Sequence, residues 1–363
     1  MTTENIEEMV FEHFELAEGS FCEIQSRMKG EIALFGAGQF GRASLEYLIS
    51  TGHRVTCFID NSPHKQGKVI DGIPVVSQDN ILAASADAIL ITAKHAVSAV
   101  SSSIEAKIPR MSFDSWFACK EFKMYLYLRD EVFEDDRSRD CLNGILLTML
   151  TGNETYCAAV MDFNQYFCLP QFVNVGTDSF VDAGAYVGDT VEKFIWANNG
   201  AFRHIYAFEP CQPQLIALKR RRERLVKEWA LNSDDFEVVN AGLGESDSYA
   251  NISVDGDNLL GASLKKSISG DNSGVHVLSL DNYLKGKPVT FIKSDIEGME
   301  IQMLRGASHT IKVNRPKMAL SVYHNPGDLI TILKFVMDLD KNYKFALRHH
   351  SPLLMDTTLY CWQ

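Results

Sequence analysis

The chain has 363 residues, of which 46% are hydrophobic and 23% are charged, a composition typical of a globular protein with more than one domain. Its formal net charge of -12 argues against a protein that binds the phosphate backbone of nucleic acids. The acidic start of the chain lacks a signal-peptide pattern, and no apolar run approaches the length of a membrane span. Its cysteines are scattered, without a C-x-x-C pair. We therefore expect a cytoplasmic protein with reduced thiols, no membrane span and no nucleic-acid partner.

Three regions differ in their hydrophobic pattern. Residues 1–112 alternate short apolar strands with helical stretches, residues 113–171 read as mostly helical, and residues 172–363 resume the alternation. Strands that alternate with helices form parallel sheets with crossover helices. The pattern predicts an α/β protein with two Rossmann-like domains, 1–112 and 172–363, joined by a helical connector, 113–171.

The first domain carries a glycine-rich turn between a predicted strand, Glu31–Phe35, and a predicted helix. The turn has the spacing G-x-G-x-x-G, and Asp60 ends the next strand 19 residues after Gly41. Glycines of this kind let the backbone approach a phosphate, and the acid accepts hydrogen bonds from a ribose. The predicted nucleotide site consists of Gly36, Gly38, Gln39, Phe40, Gly41 and Asp60. A vacant fold that serves as a docking platform would show the same pattern.

A second glycine turn has a different charge. Asp182 stands two residues before Gly184, and Ala185 and Gly188 complete the turn before another predicted helix that opens with Asp189. These acids would repel a pyrophosphate but would favour the cationic sulfonium and ammonium groups of S-adenosylmethionine. The turn therefore predicts contacts to this cofactor from Asp182, Gly184, Ala185 and Gly188. Capping of the helix start is the alternative role for both acids, and it is favoured for Asp189.

Three further strand ends carry polar residues in the same half of the chain. Glu209 follows the strand His204–Phe208, Asn240 and Ala241 follow the next strand, and Asp295 follows Val289–Ser294. The carboxyl ends of parallel strands meet at one edge of a sheet, where open α/β folds bind ligands. We expect these residues to join the cofactor site, with Glu209 accepting hydrogen bonds from the ribose hydroxyls.

The second half of the chain resembles the FkbM family of methyltransferases from about residue 135 to the end. The matching stretches are Phe180–Thr190, Tyr206–Pro210, Ile292–Glu300 and Leu304–Ala307, with Gln165–Phe167 as a short element upstream. The resemblance implies a seven-stranded class I methyltransferase sheet, S-adenosylmethionine as cofactor, and O-methylation of hydroxyls such as those of sugars.

The first half resembles the small nucleotide-sugar-binding domains that precede sugar acyltransferases. The stretches that carry this resemblance are Gly36–Gly41, Phe58–Gly67 and Gly72–Val75. It implies a site for a nucleotide or nucleotide-sugar rather than for a nicotinamide cofactor.

Methyl transfer to a hydroxyl needs a base within hydrogen-bond reach of the acceptor. Asp295, Glu297 and His324 are the candidates, because each follows a predicted strand at the same edge of the sheet. His349 and His350 are further candidates whose position the pattern leaves open. Clustered carboxylates also suit Mg²⁺, although no metal site is expected. Tyr166 and Phe167 either line the acceptor pocket or belong to the core.

The sequence thus predicts an S-adenosylmethionine-dependent O-methyltransferase that acts on a hydroxyl of a sugar or nucleotide-linked carbohydrate. Two alternatives stay open. One is a nicotinamide-dependent oxidoreductase that uses the turn Gly36–Gly41, and the other is a scaffold that binds the cofactor without catalysis.

Overall fold

The computed structural model of the protein describes residues 3–79, 86–94, 97–104, 108–173, 175–255, 258–266 and 274–363. The chain forms two compact units. The first consists of Met1–Met161, Tyr323–Pro326 and Ser351–Asp356, and the second of Asp162–Val322, Gly327–His350 and Thr357–Gln363. The three-part domain division drawn from the sequence stays a prediction. No helix in these described ranges is long and apolar enough to cross a membrane.

The first unit contains a six-stranded sheet with helices around it. Its strands are β1 (Glu31–Phe35), β2 (Arg54–Ile59), β3 (Val69–Ile70), β4 (Ile73–Val76), β5 (Ala88–Ile91) and β6 (Arg110–Ser112). Its helices are α1 (Thr3–Arg27), α2 (Gln39–Ser50), α3 (Val97–Ser103), α4 (Phe113–Lys120), α5 (Phe122–Tyr127), α6 (Asp136–Thr151) and α7 (Thr155–Ala159). The strand order is β3-β4-β2-β1-β5-β6, and all neighbours except β3 and β4 run parallel.

The central strands of this sheet explain why the glycine turn lies where it does. Four of the five residues of β1 and all four of β5 are buried, as expected for parallel strands covered on both faces. The strand order reverses between β1 and β5, because β2 lies on one side of β1 and β5 on the other. Ligands of such folds bind at this switch point, and the turn that follows β1 opens there.

The second unit contains the predicted seven-stranded sheet. Its strands are β7 (Ser179–Ala183), β8 (His204–Phe208), β9 (Phe236–Val239), β14 (Phe291–Ser294), β15 (Lys317–Ser321), β16 (Lys344–His349) and β17 (Thr357–Trp362). Strands β10 (Gly242–Leu243), β11 (Ser248–Asp255), β12 (Asn258–Lys266) and β13 (Val275–Leu278) form a smaller sheet. The helices are α8 (Asp189–Ala197), α9 (Gln212–Glu228), α10 (Leu280–Leu284), α11 (Glu300–Gly306), α12 (Ser308–Asn314) and α13 (Asp328–Leu339).

The order of the large sheet is β16-β17-β15-β14-β7-β8-β9, and β17 runs antiparallel to both of its neighbours. The other strands run in one direction, so the carboxyl ends of β7, β8, β9 and β14 lie at one edge. Behind that edge, Phe180, Phe194 and Phe291 are fully buried, and the rings of Phe180 and Phe194 stack with their centroids 4.3 Å apart. The fold class predicted from the sequence is confirmed.

Candidate functional site

The turn after β7 needs glycine at two positions. Gly184 has a φ of 77° and Gly188 a φ of 84°, in the left-handed region that other residues seldom adopt. A Cβ atom on Gly184 would lie 2.0 Å from the carbonyl oxygen of Asp295. The N–H groups of Gly184 and Ala185 both donate to the carbonyl of Phe208, which fixes the turn against the end of β8. The turn is therefore a close junction between three strand ends.

Asp182 forms a buried ion pair that the sequence reading did not anticipate. Its Oδ1 lies 3.0 Å from Nζ of Lys293, and both side chains are almost completely buried. The two residues face each other in the parallel pairing of β7 with β14. Lys293 also donates to the carbonyl of Gly184, at 2.9 Å. The pair thus connects the centre of the sheet to the glycine turn.

Burial raises the pKa of Asp182 to about 6, against the attraction of Lys293, which lowers it. Burial alone would lower the pKa of Lys293, but the negative charges of Asp182 and Asp295 raise it overall. Lys293 is therefore held as a cation among acids. The predicted contact between Asp182 and a cofactor stays a prediction, and the ion pair supplies a second role for this carboxylate, which is to hold Lys293 against the turn.

Glu209 follows β8 and is 94% buried, with 6% of its surface exposed. Its Oε2 accepts the N–H of Tyr186 at 2.9 Å, and its Oε1 accepts the N–H of Cys211 at 2.7 Å. Burial raises the pKa of Glu209 to about 7, although these two hydrogen bonds act in the opposite direction. Each carboxylate oxygen has a second lone pair, so this fixed side chain can still accept two hydroxyl donors.

The ends of β9 and β14 complete the edge. The N–H of Glu209 donates to the carbonyl of Val239, next to an exposed Asn240 and a buried Ala241. On the other side of β7, the N–H of Asp295 donates to the carbonyl of Ala183 at 3.1 Å. The geometry thus brings Asp182, Gly184, Ala185, Gly188, Glu209, Asn240, Ala241 and Asp295 to one edge of the sheet, as the strand pattern predicted.

The three candidate bases differ in their hydrogen-bond partners and in their neighbours. Asp295 is half-buried, and its Oδ2 accepts the phenolic O–H of Tyr166 at 2.7 Å. Glu297 is also half-buried, and its φ of 56° is left-handed, so the chain turns sharply after Asp295. His324 follows β15 in the segment Tyr323–Pro326, which groups with the first unit, and its ring lies against that of Tyr323. The base assignments stay predictions.

The two late histidines lie at the end of β16. His349 is fully buried, and its Nδ1 lies 2.9 Å from the hydroxyl of Thr357. The Nδ1 atom of His350 lies 3.0 Å from the carbonyl of Asp162, and its Nε2 lies 3.1 Å from the hydroxyl of Tyr360. Burial lowers the pKa of His350. Both rings are thus engaged within the hairpin of β16 and β17 and the segment beside it.

The glycine turn of the first unit is organised around Asp60. Its Oδ2 accepts the N–H of Ala37, and its Oδ1 accepts the N–H of Ser62, both at 2.9 Å. A Cβ on Gly41 would lie 2.0 Å from the carbonyl oxygen of Gly36, so helix α2 can approach β1 only with glycine there. Gln39 begins α2, and Phe40 follows it. The fingerprint therefore has the backbone geometry that its spacing predicted.

Two lysines beside this turn were not identified from the sequence. Nζ of Lys65 donates to the carbonyl of Ala37 at 3.2 Å and lies 3.6 Å from Asp60. Nζ of Lys94, which follows β5, lies 3.7 Å from the centre of the Phe40 ring. Lys65 lies within the stretch Phe58–Gly67 but was not singled out there, and no local pattern marks Lys94. Both ammonium groups thus lie beside the glycine turn.

Comparisons with known proteins agree with this geometry. Residues 182–346 match the model of the methyltransferase FkbM domain, and residues 28–111 match that of the C2185-like N-terminal domain. A search of curated proteins gave no match. Among solved structures, the methyltransferase FkbM from Methylobacillus flagellatus KT is 20% identical, with a TM-score of 0.60, and the match covers 99% of this chain and 100% of that one.

Two solved structures described as rRNA methylases are less similar to this chain. A putative rRNA methylase from Clostridium thermocellum is 12% identical over 53% of this chain and 88% of its own, with a TM-score of 0.34. An rRNA methylase from Streptococcus thermophilus is 14% identical over 58% and 92%, with a TM-score of 0.33. TM-scores this low do not support an inference about the substrate.

The sheet order, the glycine turn and the family match together define an S-adenosylmethionine-dependent methyltransferase. More closely, the protein carries an FkbM methyltransferase domain at residues 182–346, and the resemblance of its second half to that family is confirmed. The resemblance of its first half to the domains of sugar acyltransferases stays a prediction.

Proposed function

We propose that the second unit transfers a methyl group to a hydroxyl of a sugar or nucleotide-linked carbohydrate. The observation that carries the proposal is the cluster at the sheet edge, where Glu209, the glycine turn and Asp295 meet around the end of β7. S-adenosylmethionine supplies an activated methyl group. The protein therefore has to bind the cofactor and the acceptor, orient them, and remove the proton of the acceptor hydroxyl.

The residues at this edge fit that cofactor. Glu209 has two oxygens held by backbone N–H groups, each with a lone pair left for a ribose hydroxyl. Gly184 and Gly188 let the turn pack closely against Asp295 and Leu218, which fixes the backbone at the strand end where the cofactor would bind. Asp295 supplies a half-buried carboxylate beside the turn, which suits a positively charged ligand and the removal of a proton from a weakly acidic hydroxyl.

Cofactor binding is tested by calorimetric titration with S-adenosylmethionine and S-adenosylhomocysteine. We expect Glu209→Gln to weaken both by about tenfold, because an amide cannot replace a carboxylate that accepts from two sides. Glu228→Gln, which changes an exposed acid on α9, is the matched control and should bind as the wild type does. Equal binding by both variants would remove Glu209 from the site.

The acceptor class is tested by transfer from tritium-labelled S-adenosylmethionine to defined panels. One panel holds methyl glycosides and nucleotide-sugars, and the others hold short RNAs, peptides and catechols. We expect label in the first panel, and much less of it with Asp295→Asn. Label only in another panel would replace the carbohydrate proposal, and cofactor binding without transfer to any panel would favour a scaffold.

We also propose that the turn Gly36–Gly41 binds a nucleotide or nucleotide-sugar. Support comes from the fixed turn at the switch point of the sheet and from Lys65 and Lys94 beside it. Gly38 allows a sharp test, because nothing lies within 4 Å of a Cβ built on it and its φ is -85°. Gly38→Asp therefore adds a negative charge without a clash, and Gly38→Asn is its uncharged counterpart.

The measurement is the rise in unfolding temperature that a ligand produces. We expect a nucleotide-sugar to stabilise the wild type and Gly38→Asn more than Gly38→Asp. Equal shifts in all three would mean that the turn is vacant. Stabilisation by NAD alone, together with oxidation of NADH in the presence of a carbonyl compound, would favour an oxidoreductase.

A further inference from the structure

Tyr166 lies in a short segment of the second unit that comes before β7. Only 4% of its surface is exposed, and its ring packs with the aromatic core around Phe180 and Phe291. Its backbone has a φ of 71°, a left-handed conformation that is unfavourable for tyrosine. Backbone strain of this kind persists only where the surrounding contacts hold it, and such sites are often functional.

The contacts that hold Tyr166 come from the hairpin of β16 and β17. The N–H of Tyr166 donates to the hydroxyl of Tyr360 at 2.9 Å, and that hydroxyl lies 3.1 Å from Nε2 of His350. Nδ1 of His350 lies 3.0 Å from the carbonyl of Asp162, which can only accept. Nδ1 therefore carries the proton, and Nε2 of the neutral ring accepts the O–H of Tyr360.

The start of the segment is held by the same hairpin. The N–H of Asp162 donates to the carbonyl of His349 at 2.7 Å. We call Asp162, Tyr166, His350 and Tyr360 the tyrosine clamp. Because both ends of residues 162–166 are bound to the hairpin, the ring of Tyr166 has a fixed direction.

The phenol of Tyr166, at the other end of the side chain, contacts the proposed base. Its O–H donates to Oδ2 of Asp295 at 2.7 Å. The Lys293 ammonium lies 5.3 Å from the centre of the same ring, within the range of a cation–π attraction. The ring is therefore fixed by the clamp on one side and by Asp295 and Lys293 on the other.

We propose that Tyr166 is a positioning residue for methyl transfer, which fixes the carboxylate of Asp295 so that Oδ1 faces the acceptor. The inference rests on the proposed function, in which the proton of the acceptor hydroxyl passes to Asp295 as its oxygen bonds to the methyl carbon and the carbon–sulfur bond breaks. Tyr166 keeps its own proton throughout. A donor to one carboxylate oxygen stabilises the anion and stops the group from rotating.

The first test needs no acceptor. Protein labelled with ¹³C at Cζ of tyrosine gives one signal for each of its 12 tyrosines, and the signal absent from Tyr166→Phe belongs to Tyr166. We expect that signal to move as Asp295 takes up a proton at low pH. Asp182, whose pKa is raised to about 6, and Lys293 are both still present in Asp295→Asn, so a pH-dependent change of the signal that is missing from that variant alone belongs to Asp295.

A Tyr166 signal that moves identically in the wild type and in Asp295→Asn would overturn the inference. Tyr360→Phe removes the hydroxyl that accepts the N–H of Tyr166. We expect this variant to reduce the pH-dependent change of the Tyr166 signal. Tyr343→Phe is the matched control, since it removes another buried hydroxyl, one that donates to the carbonyl of Pro316. It should leave the Tyr166 signal unchanged.

The second test measures transfer to the pooled glycosides and nucleotide-sugars described above. We expect Tyr166→Phe to lower the rate by about tenfold at saturating cofactor, with unchanged calorimetric affinity for S-adenosylhomocysteine. The acid limb of its pH–rate profile should move to higher pH, because the Asp295 anion has lost a donor. A merely structural tyrosine would lower stability without moving that limb, and this result would overturn the inference.

The two proposals fail in different ways. If the wild type transfers no methyl group to the pool, the proposed acceptor is wrong, and the ¹³C signal still decides whether Tyr166 reports on Asp295. If transfer depends on Asp295 but neither the rate nor the signal depends on the phenol, the proposed function stands and the role of Tyr166 is rejected.

Discussion

Lys293 compensates the buried charge of Asp182 in the second unit. Its ammonium pairs with Asp182 at 3.0 Å, and neither side chain has appreciable contact with solvent. Removing one partner of such a pair leaves the other charge buried without compensation, which costs about 3–5 kcal/mol. Replacing both partners with apolar residues avoids that cost, so the pair can be tested as a unit.

We expect Lys293→Met to lower the free energy of unfolding by about 3–5 kcal/mol in urea titrations. The double variant Asp182→Leu with Lys293→Met should recover part of this loss. Arg224→Met, which breaks the surface pairs with Glu192 and Glu228, is the control and should cost much less than Lys293→Met. Additive losses in the double variant would contradict the account of a coupled pair.

If Glu209 holds the cofactor ribose, as proposed, cofactor binding should depend on pH. Its pKa is raised to about 7 by burial, so an appreciable fraction is protonated in the unliganded protein at pH 6. In the proposed contact the ribose hydroxyls donate to the Glu209 anion, so binding would release this proton, and affinity for S-adenosylhomocysteine should rise from pH 6 to pH 8. Titrations in two buffers of different ionisation enthalpy measure the protons released. A pH dependence that persists unchanged in Glu209→Gln would assign it to another group.

The same raised pKa has an opposite consequence for stability without ligand. Because the folded protein holds the Glu209 proton more tightly than the unfolded chain, whose carboxyl has a pKa near 4.5, folding takes up a proton between these values. The contribution of Glu209 to stability is therefore present below about pH 4.5 and is lost as the pH rises towards about 7.

At the scale of elements, the glycine turn joins β7, β8 and β14 with no room for a side chain. Gly184→Ala places a Cβ 2.0 Å from the carbonyl oxygen of Asp295 at a φ of 77°. Gly176→Ala is a matched control, since Gly176 has a φ of 64° but its Cβ would meet only Ala201, at 3.7 Å. Both variants carry the conformational cost of a left-handed alanine, so their difference isolates the close approach.

We expect Gly176→Ala to cost about 1 kcal/mol and Gly184→Ala about 1–3 kcal/mol more, measured by urea unfolding. Binding of S-adenosylhomocysteine should be lost only in the second. If the two variants lose the same stability, the junction can relax around a methyl group.

The sequence predicted the elements of the site better than its contacts. The strand ends of β7, β8, β9 and β14 were identified because short apolar runs stop at polar residues. Strand limits were less well predicted: β14 starts at Phe291, two residues inside the predicted run Val289–Ser294. These limits depend on pairing with neighbours, which a local pattern does not contain.

The contacts that were missed share a physical cause. Lys293 reads as one polar residue in an apolar strand, and its partner stands 111 positions earlier in the chain. Tyr166 was expected either in the acceptor pocket or in the core; its ring belongs to the core, and only the fold brings its hydroxyl to Asp295. Hydrophobic periodicity predicts which face of an element is buried, but not which polar atoms meet there.

At the scale of the whole molecule, the net charge of -12 opposes binding to RNA. We expect no retention of a short RNA in filter-binding assays at about 50 mM salt, where electrostatic attraction is strong. Retention that weakens steeply with added salt would show a phosphate-binding surface despite the acidic composition. The carbohydrate acceptor would then have to be reconsidered against a nucleic acid.

The pairing of Lys293 with Asp182 also constrains how the large sheet can assemble. The two residues lie directly opposite each other on β7 and β14, strands separated by more than 100 residues. A slip of one residue would turn Lys293 to the other face of the sheet and bury both charges apart. Misregistered forms are thereby destabilised before any ligand is present, so the pair selects the register of β7 and β14 that also brings Asp295 against the glycine turn.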